Sequence, residues 1–353
     1  MPALVFVGGF LGAGKTTLIL RAAELLAQQG SRVAVITNDQ DSSLVDSRLT
    51  EAHDLRTSEV AGGCFCCRFS NLMTAADSLV EYQPDVIFAE PVGSCVDLSA
   101  TILHPLKASW RDRFRLAPLT VLVDPGLAAK VYGGRADAGV SFLFRNQVAE
   151  ADLICVSKVD RYPDHGQLPV PVDFAVSSLT GEGVSEWLGE VLNSSRVVGA
   201  HLLDVDYGRY AAAEAALGWL NLNADIELEQ PLSPAVIVGP LLETMDGLLS
   251  EAGVSIAHLK VFDQALSGYV KASICATGEE PGVVGDLTAS PERRHELVIN
   301  LRAVGDPDLL LAVVRGALAA VAGAVTVRYE RCFRPPPPVP EHRARLPGRP
   351  TEG

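Results

Sequence analysis

Through the first 200 residues, short and nearly unbroken apolar runs alternate with amphipathic helical stretches. The runs predict strands at Leu4–Gly8, Arg32–Thr37, Val86–Ala89, Leu119–Val123, Asp152–Val156 and Val172–Ser177. Helices are predicted between them at Lys15–Gln29, Leu72–Tyr82 and Val184–Leu192. Strands apolar at successive positions, rather than at every second one, belong to a sheet covered on both faces, hence to a mainly parallel α/β fold. Right-handed crossovers then set the strand C-terminal ends, and the loops leaving them, along one edge where ligands should bind.

From about Tyr207 the pattern changes. A strand at Leu217–Leu228 leads to a helix near Ala235–Ala252, then strands at Ile256–Phe262, Tyr269–Ala276 and Glu296–Leu301. A helix at Asp306–Ala320 and a last strand at Val325–Arg331 close the series. That order predicts a smaller α+β domain with helices on one sheet face, open to a ferredoxin-like arrangement. The expected division is 1–200, 207–333, and an extended Pro- and Arg-rich tail over 334–353.

Composition narrows the options. A chain of 353 residues with 48% hydrophobic and 20% charged positions can bury two sizeable cores. A formal net charge of −14 argues against a general nucleic-acid binder and against docking on an anionic membrane. No apolar run is long enough for a membrane span, and the apolar start lacks the basic region of a signal peptide. Seven cysteines, three of them in Cys64-Phe65-Cys66-Cys67, suit a reducing compartment, so a cytoplasmic protein is expected.

Gly9-Phe10-Leu11-Gly12-Ala13-Gly14-Lys15-Thr16 fits the eight-position phosphate loop, after a strand and opening a helix. Its glycines let backbone N–H groups curl around phosphate oxygens, and the helix adds its positive dipole end. Lys15 should reach the β and γ phosphates and the Thr16 hydroxyl should bind Mg²⁺. Such a loop does not choose its base. Ser157-Lys158-Val159-Asp160, just beyond a strand end, does. The Asp160 carboxylate can accept both N–H groups of guanine, with the Lys158 stem over the ring, whereas adenine would leave it unpaired. Ser177-Ser178-Leu179, after the next strand, reads as a second base-contacting loop, with Ser178 in contact.

Glu90 ends a strand and can hold Mg²⁺ through water or orient the attacking water, against the plainer role of a turn residue. Asp124, closing a strand before Pro125, reads as a turn carboxylate or as a second acid facing the site. Cys64, Cys66 and Cys67 follow Gly62-Gly63 on a loop, and three thiols so close can converge on one cation, Zn²⁺ first, then Co²⁺, Cu⁺ or Fe²⁺. Cys95, Cys155, Cys275 and Cys332 are scattered and read as core or surface cysteines. His104 and His258 read as structural.

With these motifs together, the chain resembles the CobW-like family of P-loop GTPases, a metallochaperone group. The matches are the phosphate loop with Thr17 following, Gly63-Cys64-Phe65-Cys66-Cys67, Glu90 with Gly93, Ser157–Asp160, and Gln147 ahead of Ala151-Asp152. The resemblance implies a GTPase that binds a transition metal and delivers it to a client metalloprotein or cofactor-assembly enzyme, with dimerisation open. It makes Glu90 the characteristic glutamate of the third GTPase motif. Family members carry Asn-Glu-x-Gly after the second strand; here Asn38-Asp39-Gln40-Asp41 keeps the acid at Asp39, a candidate metal ligand, and loses the glycine. Hydrolysis is expected to be slow without a client, since no arginine finger can be placed. Two other functions fit the same residues: an activation GTPase that carries no metal, and a redox-responsive adaptor built on the three cysteines.

Overall fold

The computed structural model describes residues 1–41, 45–53, 55–163 and 168–345. The chain divides into two units: Met1–Gln40, Asp46–Ala213 and the C-terminal segment from Pro337 form one, and Asp41–Val45 with Glu214–Pro336 form the other. Among the described residues no helix is long and apolar enough to cross a membrane.

The first unit runs β1 (Ala3–Gly9), α1 (Lys15–Gln28), β2 (Val33–Asn38), α2 (Val45–Ala52, its first residue in the other unit), β3 (Arg56–Val60), α3 (Phe69–Val80) and β4 (Val86–Glu90). A π-helical turn (Ser99–Leu103) and α4 (His104–Ser109) follow, then β5 (Arg115–Leu116), β6 (Thr120–Val123), α5 (Pro125–Tyr132) and α6 (Ala138–Glu150). The series closes with β7 (Leu153–Val156), β8 (Phe174–Ala175), α7 (Val184–Asn193) and α8 (Tyr207–Ala215, its last two residues in the other unit). The strands lie in the order β3-β2-β4-β1-β6-β7-β8, with β5 also on β1, and every pairing is parallel. β1, β2, β4, β6 and β7 are buried at every position, as the unbroken apolar runs require.

β3 escaped the sequence pattern because Arg56-Thr57-Ser58-Glu59 is polar, which an edge strand tolerates. The strand expected over Val172–Ser177 shrinks to the two residues of β8, since Pro169 and Pro171 interrupt the donor series before it.

The second unit contains β9 (Leu217–Leu232), α9 (Pro234–Glu251), β10 (Ser255–Ala265), β11 (Gly268–Ile274), β12 (Gly282–Gly285), β13 (Glu292–Val304), α10 (Pro307–Leu318) and β14 (Ala324–Phe333). Its sheet order, β12-β11-β10-β13-β9-β14, is antiparallel throughout. Taken without the β11–β12 hairpin, it is the ferredoxin-like βαββαβ order, and the hairpin extends one edge. Leu220, Leu222, Leu259, Val261, Leu297 and Ile299 pack against Leu241, Met245 and Leu249 of α9 and Leu310 and Val314 of α10 in one core. Asp41 accepts hydrogen bonds from Tyr329 (2.6 Å) and Asn221 (3.2 Å) in this unit, and the Val45 N–H donates to Asn300 (2.9 Å). Residues 42–44 lie outside the described residues, as do 346–353 of the tail.

Candidate functional site

The phosphate loop leaves β1, near the middle of the sheet, and opens α1. Gly9 has φ +128°, and a Cβ there would meet the Leu122 carbonyl at 2.6 Å, so both conformation and space demand glycine. Gly12 (φ +75°) and Gly14 (φ +93°) are also left-handed, and Gly14 is the N-cap of α1. Lys15 is buried and donates to the carbonyls of Gly9 (3.0 Å) and Phe10 (3.3 Å), so its ammonium lies within the loop. The Thr16 hydroxyl lies 2.8 Å from Asp46 Oδ1 and 3.0 Å from Glu90 Oε1. One hydroxyl proton serves one acceptor at a time, so two carboxylates converging on this oxygen form a donor set for a hard cation. Asp46, rather than Asp39, is the second acid at Thr16. The Asp39 backbone instead spans from the Val60 carbonyl (3.3 Å) to the Gly63 N–H (3.4 Å), beside the cysteine loop.

β6, β7 and β8 lie in sequence beyond β1, so the loops carrying Asp124, Ser157–Asp160 and Ser177–Ser178 leave the same sheet edge as the phosphate loop. Lys158 adopts φ +56° and its ammonium pairs with Asp124 at 2.7 Å. Asp124 is more than a turn carboxylate: it caps α5 by accepting the Leu127 N–H at 2.8 Å while holding Lys158. Ser157 is tied back to the Val123 carbonyl, and Ser177 accepts the Thr180 N–H at 3.1 Å. Asp160 is exposed and Ser178 is half-buried.

The cysteine loop is clamped by Asn38, at the end of β2. Its amide donates to the carbonyls of Val60 and Gly63 (both 2.8 Å), and its oxygen accepts the Phe65 N–H (2.8 Å). Sequence reading passed over this residue, though a polar amide ending a buried strand beside a Gly-Gly-Cys loop was the available signal. The sulfurs converge: Cys64 lies 2.7 Å from Cys66 and 3.2 Å from Cys67, with Cys66 and Cys67 3.7 Å apart. Cys64 and Cys66 are buried and Cys67 is half-buried. Among the described residues this is the one group of three or more His, Cys, Asp or Glu side chains close enough to share a metal ion.

Hydrogen bonds from Cys66 and then Cys67 hold the Cys64 thiol well below the ordinary range. The same interaction pushes Cys66 up and Cys67 up to about 12. Cys95, read from sequence as scattered, is buried within hydrogen-bonding reach of both Cys64 and Cys66.

A short loop joins the two sites. Glu90 touches Thr16, and five residues on, Cys95 meets the thiols. Gln147 fastens this loop, donating to the carbonyls of Gly93 and Cys95, both at 2.9 Å. A Cβ on Gly93 would meet the Leu11 N at 3.0 Å and Leu11 Cα at 3.1 Å, so Gly93 seats the loop against the phosphate loop. Gly93→Ala must displace one from the other. Overpacking of this kind costs about 1–3 kcal/mol, so the melting temperature should fall by several degrees. An unchanged melting temperature would show that the two loops part without strain.

Residues 3–172 match the family model for the CobW/HypB/UreG nucleotide-binding domain. Zinc chaperone YjiA of Escherichia coli (strain K12) is 39% identical over 165 residues, 45% of this chain and 49% of that protein. Zinc chaperone YeiR of the same organism is 30% identical over 164 residues, 44% of this chain and 46% of that one. The chain thus spans about half the length of the curated relatives it matches. A crystal structure of HypB from Helicobacter pylori in complex with nickel covers 54% of this chain and 86% of that chain, at 18% identity and a TM-score of 0.39. That score is too low to bear on the site.

Proposed function

Residues 3–172 belong to the CobW-like family of P-loop GTPases, and from that premise we propose that this chain is a GTP-hydrolysing metallochaperone. It holds a transition cation on Cys64, Cys66 and Cys67 and hands it to a client protein. The carrying observation is the convergence of three sulfurs on a loop joined, through Glu90 to Cys95, to the phosphate loop. Relatives named zinc chaperones support Zn²⁺ as the cargo, with Co²⁺ as its closest chemical substitute. Tetrahedral ligation at about 2.3 Å sets sulfurs roughly 3.8 Å apart, so the triangle must open by about 1 Å at its shortest edge, Cys64 to Cys66, to receive the ion.

In this reading the phosphate loop binds the triphosphate, Lys15 turns its ammonium from Gly9 and Phe10 to the β and γ phosphates, and Asp160 and Ser178 read the guanine edge. Thr16, with Glu90 and Asp46 beside it, would hold Mg²⁺, which offsets charge on the transferring phosphoryl group. Glu90 also has the position to orient an attacking water. Filling the Thr16 site changes what Glu90 bonds to, and the Gln147-clamped loop carries that change to Cys95 and the cysteine cluster.

Nucleotide and cargo should therefore be coupled, by a factor in the roughly 5- to 150-fold range usual for linked sites. The test is a Co²⁺ titration followed by thiolate-to-cobalt charge transfer, with GDP and with a non-hydrolysable GTP analogue. Wild type should show the band and bind more tightly with the GTP analogue, and Cys66→Ser should lose most of the band. Equal affinities in both nucleotide states would end the chaperone cycle, and no band would end the metal site as well.

A further inference from the structure

The sequence predicts an extended tail, and in the structure Pro338–Ala344 lies across the cysteine loop, within the same unit. The register of this segment is specific. Between Pro335 and Pro340 every residue but one is proline, so Val339 carries the single backbone N–H of the run. That N–H donates to Cys67 Sγ at 3.2 Å. Two residues on, the Glu341 N–H donates to the Cys66 carbonyl at 2.9 Å. The Glu341 carboxylate caps α3, accepting from the Ser70 N–H (2.9 Å) and hydroxyl (2.6 Å), and the His342 ring packs edge-on against Phe69, 4.9 Å between centroids.

The far end is anchored on the segment that follows Glu90 and Cys95. Arg343 pairs with Asp97 at 2.7 Å, where the Asp97 side chain is 1% exposed and also accepts the Tyr207 hydroxyl at 2.9 Å. The Arg343 guanidinium lies 4.7 Å over the Tyr207 ring, and the Ala344 N–H donates to the Ala100 carbonyl at 2.8 Å. A proline run is stiff before it docks, so little chain entropy is lost in seating it.

We propose that Val339–Ala344 is a strap that fastens the cysteine loop to the Asp97–Ala100 segment, shields the thiols and holds Cys67 by its N–H···S bond. Cation exchange at the thiols and attack on them both require the strap to lift. Val339 is then a positioning residue for a thiophilic cation, acting through its backbone, and Arg343 is the anchor. This rests on the three-sulfur cation site proposed above for its cation-exchange half; the shielding half stands on the contacts alone.

Val339→Pro completes the proline run, deletes the one N–H and sets a ring carbon against Cys67, whereas Val339→Ala keeps the N–H and trims a side chain that is 72% exposed. In the full-length protein loaded with Co²⁺, release to a competing chelator should be about tenfold faster in Val339→Pro than in wild type, as expected for a lost hydrogen bond to a charged sulfur. Val339→Ala should match wild type. In the metal-free protein, Arg343→Gln should make Cys67 react several-fold faster with iodoacetamide, read from the mass of its peptide. Equal release from the two Val339 variants together with a wild-type alkylation rate in Arg343→Gln would overturn the strap. If wild type gives no thiolate-to-cobalt band, the metal reading falls by itself, and the Cys67 alkylation rate alone decides whether the strap shields the thiols.

Discussion

Wild-type protein should bind GTP at least about a hundredfold more tightly than ATP, because a carboxylate built to accept two guanine N–H groups is left unpaired by adenine. The structure gives that expectation a rigid mount. Lys158 takes a left-handed backbone (φ +56°) and is fixed by its 2.7 Å ion pair to Asp124, itself the N-cap of α5. Ser157 is held to the end of β6 by the Val123 carbonyl, so the exposed Asp160 follows two anchored residues. Asp160→Asn keeps that mount and changes only the pattern of donors. The amide NH₂ now faces the guanine 2-amino group, donor against donor, but meets the 2-oxo group of xanthine as donor to acceptor. GTP affinity should fall roughly a hundredfold and xanthosine triphosphate should become the preferred ligand, measured by displacement of a fluorescent nucleotide. Equal wild-type affinities for GTP and ATP would remove the guanine assignment.

Cation affinity at the cysteine cluster should rise steeply with pH, by about a hundredfold per unit across the window between the lowered Cys64 value and the raised Cys66 and Cys67 values. Three sulfurs 2.7–3.7 Å apart cannot all carry charge without a cation between them. In the metal-free cluster the Cys64 thiol is held low by hydrogen bonds from Cys66 and Cys67, while Cys66 is raised and Cys67 is pushed up to about 12. Between the low Cys64 value and the two raised ones, binding three thiolates therefore expels two protons. Lower pH opposes that release and higher pH favours it, which fixes the sign. Co²⁺ affinity measured against a chelator of known proton dependence should give a slope near two in log K against pH. A slope near zero or one would mean that fewer than three of these thiols are ligands, and a slope near three would bring Cys95 into the site.

Much of the first unit was legible along the chain because its determinants are local. A parallel strand buried on both faces must be apolar at successive positions, so β1, β2, β4, β6 and β7 announce themselves. A phosphate loop needs glycine where the backbone turns left-handed, and Gly9, Gly12 and Gly14 stand there. Three cysteines within four residues are close in space whatever surrounds them. The alternation of strands and helices after Tyr207 likewise carries the ferredoxin-like order, since each crossover helix separates strands that are neighbours or next-neighbours in the sheet.

What tertiary structure decided are the contacts between residues far apart in sequence, which no periodicity encodes. Asp46 reaches Thr16 over 30 positions and Glu90 over 74, whereas Asp39, the acid that family resemblance singled out, spans its backbone from β3 to the cysteine loop. Cys95 looks solitary in the sequence and meets Cys64 and Cys66 only because β3 and β4 flank β2 in a parallel sheet, with the loops leaving both on one edge. The tail gives the sharpest contrast. Its proline run reads correctly as extended chain, for a run without N–H groups cannot enter a helix or a sheet ladder. Where that extended chain lies depends on a single amide finding Cys67, 272 residues away, and on Arg343 finding the buried Asp97. Composition sets a segment's stiffness; its destination is set by which partner the folded surface leaves within reach.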